Sequence, residues 1–241
     1  MLRARLSERL QDLLLDSDVL EDFLRQLAGL AAEFAAAETG RPVDCSVRVA
    51  RRRRPLALAA SDPDARVLDR LLDDAREGPG LEAQQTGLAV LVPDTTMDPR
   101  WRRYQRAAAQ RGSRSILAVS LLADRDAAAT LTFFSTSPEA FDDAAVAACR
   151  AFAVRAATVT RLALRFDAAR NVNRDLLQAM RSRTEINLAT GILMAQSRCS
   201  QSEAFALLTK VSNTRNIKLR IVAEEILRRF DGGAAAAAFS A

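Results

Sequence analysis

Apolar residues recur every three or four positions from Val19 through Phe23, Leu27 and Leu30 to Phe34, which predicts an amphipathic helix starting near Ser17 or Asp18 and covering one face of a sheet. After "ETGRPVD" the period shortens to two. "CSVRVA" alternates, "RRRRP" interrupts and "LALAAS" resumes, the outline of a β-hairpin. A helix follows in "ARVLDRLLDDAREG", with Val67, Leu68, Leu71 and Leu72 as its apolar stripe. "GLAVLVPDT", "SILAVSLLAD" and "DAAATLTFFS" predict three more strands, the last two joined by a turn near "ADRDA". Between the first two of these, "MDPRWRRYQRAAAQRG" reads as a loop leading into a helix. The order of elements predicts an antiparallel sheet of five or six strands with helices packed on it, an α+β domain.

From Ala144 to about Arg198 the chain has no proline, and Gly191 is its first glycine, so one helix can run from this domain into the next segment. Leu162, Phe166, Ala169, Asn173, Leu176 and Met180 alternate four and three apart, a heptad-like seam. Its first half fits packing on the protein's own sheet equally well. Beyond Asp167 a parallel dimer is expected, with Asn173 able to fix the register. Ile186, Ala189, Thr190 and Leu193 then form one helical face, and Ser200 with Glu203 forms a capping box. The next helix carries Ala204, Leu207, Leu208 and Val211, and after "SNTRN" a third carries Leu219, Val222, Ala223, Ile226 and Phe230. Three short stripes that cannot be buried singly predict a three-helix bundle.

Charge separates the two parts. Residues 1–160 carry 22 basic and 23 acidic side chains, whereas residues 161–241 carry 13 and 7, so the whole positive excess lies in the last third, which is where any nucleic acid would be expected to bind. Thirty-three of the 35 basic residues are arginine, an imbalance that matches a general Ala and Arg bias and weakens any inference from the high isoelectric point alone. The chain has no histidine, and Cys45, Cys149 and Cys199 stand far apart, which argues against a zinc site, a histidine-ligated haem and a histidine-dependent triad. No phosphate-binding loop or nucleophile elbow is present, and Glu224 and Glu225 read as surface salt-link partners, so no catalysis is expected. With no signal-peptide pattern and no long apolar run, a cytoplasmic protein without a membrane partner is expected.

The words "GPGLEA", "DPRW", "GSRSIL" and "AFDD", in this order, resemble a GAF domain of the actinobacterial type over about residues 15–160. Many members have cysteine where this chain has Leu81, so a redox role there is not expected. "ATGILM", "SQSEAF" and "NIKLRIVAEEI" closely resemble the three helices of an ANTAR domain. The resemblances imply an organisation of residues 1–14 as a helical extension, 15–160 as a GAF-like sensor, 161–182 as a dimerisation helix, 183–231 as an RNA-binding bundle and 232–241 as a flexible tail. They imply a transcription antiterminator that engages paired stem-loops of leader RNA as a homodimer under control of the sensor. Room is left for an unidentified small-molecule ligand, and no cofactor is implied.

A glycine inside a helix costs about 1 kcal/mol relative to alanine, so Gly191 calls for a reason. One reading is an RNA base approaching bare backbone, with Ala189, Thr190 and Gly191 forming one wall and Arg215, Lys218 and Arg220, expected together at the start of the third helix, holding phosphates. Many ANTAR members have Lys where this chain has Thr190, which removes one phosphate contact. The other reading is that Gly191 lets the first helix pack tightly on the third and that the basic residues are a solvated face. Two further functional readings stay open: a small-molecule sensor whose bundle binds protein, and a DNA-binding regulator, although a broad apolar stripe on the third helix leaves few side chains for base edges. Arg51 to Arg54 read as a solvated hairpin tip, and Trp101 and Tyr104 as core or lid residues.

Overall fold

The computed structural model describes residues 5–52, 54–123 and 127–238. The opening helix α1 (Leu6–Leu15) buries Leu6 and Leu10, and α2 (Leu20–Thr39) buries Phe23, Leu27, Leu30 and Phe34 along the predicted stripe. α2 stops where Gly40 adopts a φ of +64°, a left-handed cap open to glycine at little cost. The predicted hairpin is β1 (Asp44–Arg51) with β2 (Ala57–Ala60), and α3 (Pro63–Ala75) follows, its Asp62 side chain accepting from Asp64 N at 2.7 Å. "GPGLEA", one of the words that resemble the GAF pattern, opens a short helix, α4 (Pro79–Thr86), closed by Gly87. Proline at its first position and glycine just past its last are helix punctuation as well as turn chemistry.

β3 (Val90–Val92), α5 (Arg102–Gln110), β4 (Ser115–Ala123) and β5 (Ala127–Ser135) complete a five-stranded sheet of order β2-β1-β5-β4-β3, each neighbouring pair antiparallel. The expected turn near "ADRDA" lies outside the described residues at 124–126. Strand alternation gives the sheet two unlike faces. Cys45, Val47 and Val49 of β1 sit opposite Phe133, Leu131 and Ala129 of β5, and with Leu117 and Val119 of β4 they form an apolar face joined in one core with α2 and the first part of α6 (Asp143–Ser197). The Phe34 and Phe152 rings meet there at 5.1 Å. The other face packs Ile116 and Phe134 against Leu68 and Leu72 of α3 and Tyr104 of α5.

The chain divides into a unit ending at Asp167 and a unit beginning at Ala168. The second unit contains the remainder of α6, α7 (Gln201–Arg215) and α8 (Leu219–Ala238). Ser200 and Glu203 form the predicted capping box, with Ser200 N donating to Glu203 Oε2 at 2.8 Å. Its core is small: Ala189, Leu208, Val222 and Ala223 are buried, with Ile186, Leu193, Leu219 and Ile226 packed around them. α8 continues to Ala238 through an alanine run of high helix propensity, so the expected flexible tail is helical over 232–238, and 239–241 lie outside the described residues. Among the described residues no helix is long and apolar enough to cross a membrane.

All three cysteines are free thiols. Cys45 and Cys149 are fully buried, and burial pushes both thiols up, Cys149 to about 12. Cys199 is partly exposed. An alkylating reagent at pH 8 is therefore expected to modify Cys199 alone in the native protein and all three after denaturation, read by mass spectrometry. Fast native modification of Cys149 would contradict this packing.

Candidate functional site

The second sheet face carries polar groups deep inside the first unit. Arg48, 3% exposed, donates from Nε to Asp69 Oδ1 at 2.7 Å, from Nη2 to the Asp69 carbonyl at 3.0 Å, and from Nη1 and Nη2 to Asp73 at 2.8 and 3.1 Å. Ser46 Oγ donates to the other Asp69 oxygen at 2.7 Å. Burial is the largest influence on the Asp69 carboxyl and pushes it up, while Arg48 and Ser46 pull it back. Thr130 and Thr132 of β5 lie opposite Arg48 and Ser46. Their hydroxyls, the Tyr104 hydroxyl and the Gln105 amide are buried without a hydrogen-bond partner among the described residues. Such atoms cost about 1–3 kcal/mol each unless water or a ligand satisfies them.

α4 is drawn tightly onto this face. A Cβ at Gly80 would lie 2.9 Å from Leu72 Cδ1 and 3.2 Å from Thr132 Oγ1, and one at Gly78 would lie 2.4 Å from Leu72 Cδ2 and 3.2 Å from Tyr104 Cγ. Gly78 also has a φ of +141°, which only glycine adopts without strain. Alongside, a cavity of about 630 Å³ opens between residues 95–99 and α5, lined by Thr95, Met97, Arg102, Gln105 and Arg106. Two exposed guanidinium groups and an unpaired buried amide give it the chemistry to hold a small polar ligand.

In the second unit the six residues expected at the nucleic-acid surface separate. Ala189 and Thr190 are buried, and the Thr190 hydroxyl donates to the Ile186 carbonyl at 2.7 Å. Both lie on the packing stripe, so their side chains are unavailable to a partner. Gly191, about 100° further round the helix, is exposed, and a Cβ there would meet nothing within 4 Å. Tight packing within the bundle therefore does not explain this glycine. Arg215 was expected at the start of the third helix but ends α7, where it pairs with Glu225 of α8 at 2.5 and 3.0 Å. That pairing holds the Glu225 carboxyl below its usual range. Lys218 is exposed just before α8, and Arg220 stands in its first turn, 3.8 Å from Glu224. The structure thus keeps Gly191 and Lys218 open and ties Arg215 to a carboxylate.

A sheet unit with a polar buried face and a helical unit with an exposed basic surface together define a two-domain regulator. Family models match a GAF domain at residues 13–159 and an ANTAR domain at residues 174–227. The chain belongs to the GAF domain family and carries a C-terminal ANTAR domain. Among solved structures it resembles an N-acylhomoserine lactone dependent LuxR family transcription factor, CepR2 of Burkholderia cenocepacia, at 16% identity and a TM-score of 0.52, covering 70% of this chain and 99% of that one. It also resembles the GAF domain of an Acinetobacter phosphoenolpyruvate-protein phosphotransferase, at 16% identity and a TM-score of 0.47 over 69% and 97% of the two chains. At these identities the likeness is one of fold. No curated protein sequence matches the chain.

Sequence reading missed the polar sheet face. The signal was present: Ser46 and Arg48 in "SVRV" and Thr130 and Thr132 in "TLT" alternate with apolar residues that face the main core, and Asp69 interrupts an apolar helical stripe. One substitution is expected to act with opposite signs in the two units. Gly78→Ala should lower the stability of the sheet unit by about 1–3 kcal/mol, followed in urea by the fluorescence of Trp101, the single tryptophan. Gly191→Ala should raise helical stability by about 1 kcal/mol, followed by far-ultraviolet circular dichroism with no change in the Trp101 transition.

Proposed function

We propose that this protein is a cytoplasmic, non-enzymatic RNA-binding regulator: a transcription antiterminator that binds paired stem-loops of leader RNA through its C-terminal unit as a homodimer, under control of a small-molecule signal at the GAF domain. The observation that carries the reading is Gly191. The helix bears its full propensity cost and presents bare backbone to solvent, and among the described residues nothing outside its own stretch of helix lies within 4 Å of where a Cβ would stand. Close approach by an unstacked loop base accounts for it, and Lys218 is positioned to contact phosphate beside the first free N–H groups of α8.

Dimerisation draws on the exposed apolar side chains of α6. Leu176 and Met180 on the predicted seam are 58% and 60% exposed, and Val172 beside them is 66% exposed. A second copy offers the apolar cover that this stripe lacks within the chain. The cavity beside Gln105 is the place for the signal, since its buried amide has no hydrogen-bond partner among the described residues. A protein partner for the bundle is the second reading, favoured by Phe205 and Leu207, exposed at 47% and 44% on α7.

The test is an anisotropy titration with an RNA of two linked hairpins bearing six-nucleotide loops. Salt-dependent binding poorly competed by duplex DNA is expected. Gly191→Ala and Lys218→Ala should each weaken binding about tenfold, a loss of about 1.4 kcal/mol, with no loss of thermal stability. Equal competition by duplex DNA would favour the DNA-binding reading, and absence of binding to either nucleic acid would favour the protein-binding one.

A further inference from the structure

A groove of about 640 Å³ runs along the second unit between α6 and the start of α8. Arg170, Arg174 and Arg181 line it from α6 and Arg220 from α8, against two carboxylates, Glu185 and Glu224. At about 100° per residue the three α6 arginines fall within about 40° of one another, one stripe along the helix. They lie roughly a third of a turn away from the apolar stripe of Ala169, Leu176 and Met180. Burying that stripe against a second copy therefore leaves the arginines available. Arg174 and Arg181 are exposed, and the Arg220 contact to Glu224, at 3.8 Å, is longer than a hydrogen bond.

We propose that this groove is a second RNA contact, which holds the phosphate backbone of the hairpin stem while the Gly191 surface meets the loop. The inference rests on the RNA-binding reading and adds a site to it. Length argues for a polymer over a free anion. Arg170 to Arg181 spans about 16 Å of helix axis, too long for a single phosphate group and a match for several successive phosphates of one strand. The exposed guanidinium groups of Arg174 and Arg181 suit a backbone contact that carries no sequence information. The net positive groove and the neighbouring N-terminal end of α8 favour the same charge.

The test uses the full-length protein and the two-hairpin RNA. The double variant Arg174→Gln/Arg181→Gln should lower affinity about tenfold or more for both the six-nucleotide-loop RNA and a loop-scrambled control, and should reduce the slope of log K against log salt by about 1.4–1.8, two phosphate contacts. The melting temperature and the sedimentation coefficient should not change. Glu185→Gln, which removes a negative charge from the groove, should tighten binding to both RNAs and supplies an independent readout should the double variant fold poorly. Three results would overturn the groove while leaving RNA binding intact: an unchanged salt slope in the double variant, a loss confined to the intact-loop RNA, or competition by millimolar inorganic phosphate beyond that of chloride at equal ionic strength. A wild-type protein that binds neither RNA would instead overturn the RNA reading and this inference with it.

Discussion

The buried ion pair between Arg48 and Asp69 fixes how the remaining elements of the sheet unit pack. A charge removed from water is tolerated only when it is paired and hydrogen-bonded, and Arg48 meets that condition by spanning one turn of α3, from Asp69 to Asp73. The helix is thereby held to β1 in a single register. Leu68 and Leu72 then lie over Ile116 and Phe134, and Leu72 sets the clearance for Gly78 and Gly80. A Cβ at either position would force the Leu72 side chain to move, and with glycine there α4 approaches the sheet closely enough to place backbone near Thr132. The unpartnered hydroxyls on this face follow from the same geometry, since the ion pair satisfies Ser46 and leaves its neighbours across the strand without a donor or acceptor.

The ANTAR unit obeys a different constraint. Among the described residues its buried apolar side chains are Ala189, Ala204, Leu208, Val222 and Ala223, three of them alanine, while Leu188, Phe205, Leu207 and Val211 remain exposed. So little burial gives modest stability, and apolar surface that could have been internalised stays exposed. Gly191 belongs to this pattern, since alanine at that position would help the helix without meeting any atom. In the sheet unit Gly78 and Gly80 serve internal packing, whereas in the helical unit Gly191 lies at the surface.

Much of this was legible in the sequence where a local rule governed. The period-two strands, the stripes of α2 and α3 and the Ser200–Glu203 capping box all follow from spacing. α4 was not legible, because Pro79, Gly80 and Gly87 mark a turn as readily as the ends of a short helix. Ala189 and Thr190 show how two sequence expectations compete: placed on the apolar stripe with Ile186, they cannot also offer side chains to RNA, and burial decides for the stripe. Arg51, expected in a solvated tip, pairs at 2.5 Å with Asp167, a residue 116 positions away that no local pattern connects to it. Arg53 of the same run lies outside the described residues. The α6 arginines were hidden for the reverse reason: each looks like an ordinary exposed residue, and only Arg220 across the groove makes them a site.

Placing an apolar stripe and a basic stripe on one helix has a consequence for regulation. A signal can alter RNA affinity only through a difference in free energy between bound and unbound states of the protein. Contacts by a single ANTAR unit are exposed and screened by salt, so their individual contribution is modest. In the proposed dimer, two units on two linked hairpins would convert the second binding step into an intramolecular one, at an effective concentration near the millimolar range when the spacing matches. A change in dimer geometry therefore alters overall affinity by far more than it alters either contact. Because the two stripes face different directions, the proposed dimer would form or rearrange without removing an arginine from the groove, and control by geometry would not compete with the proposed chemistry of binding.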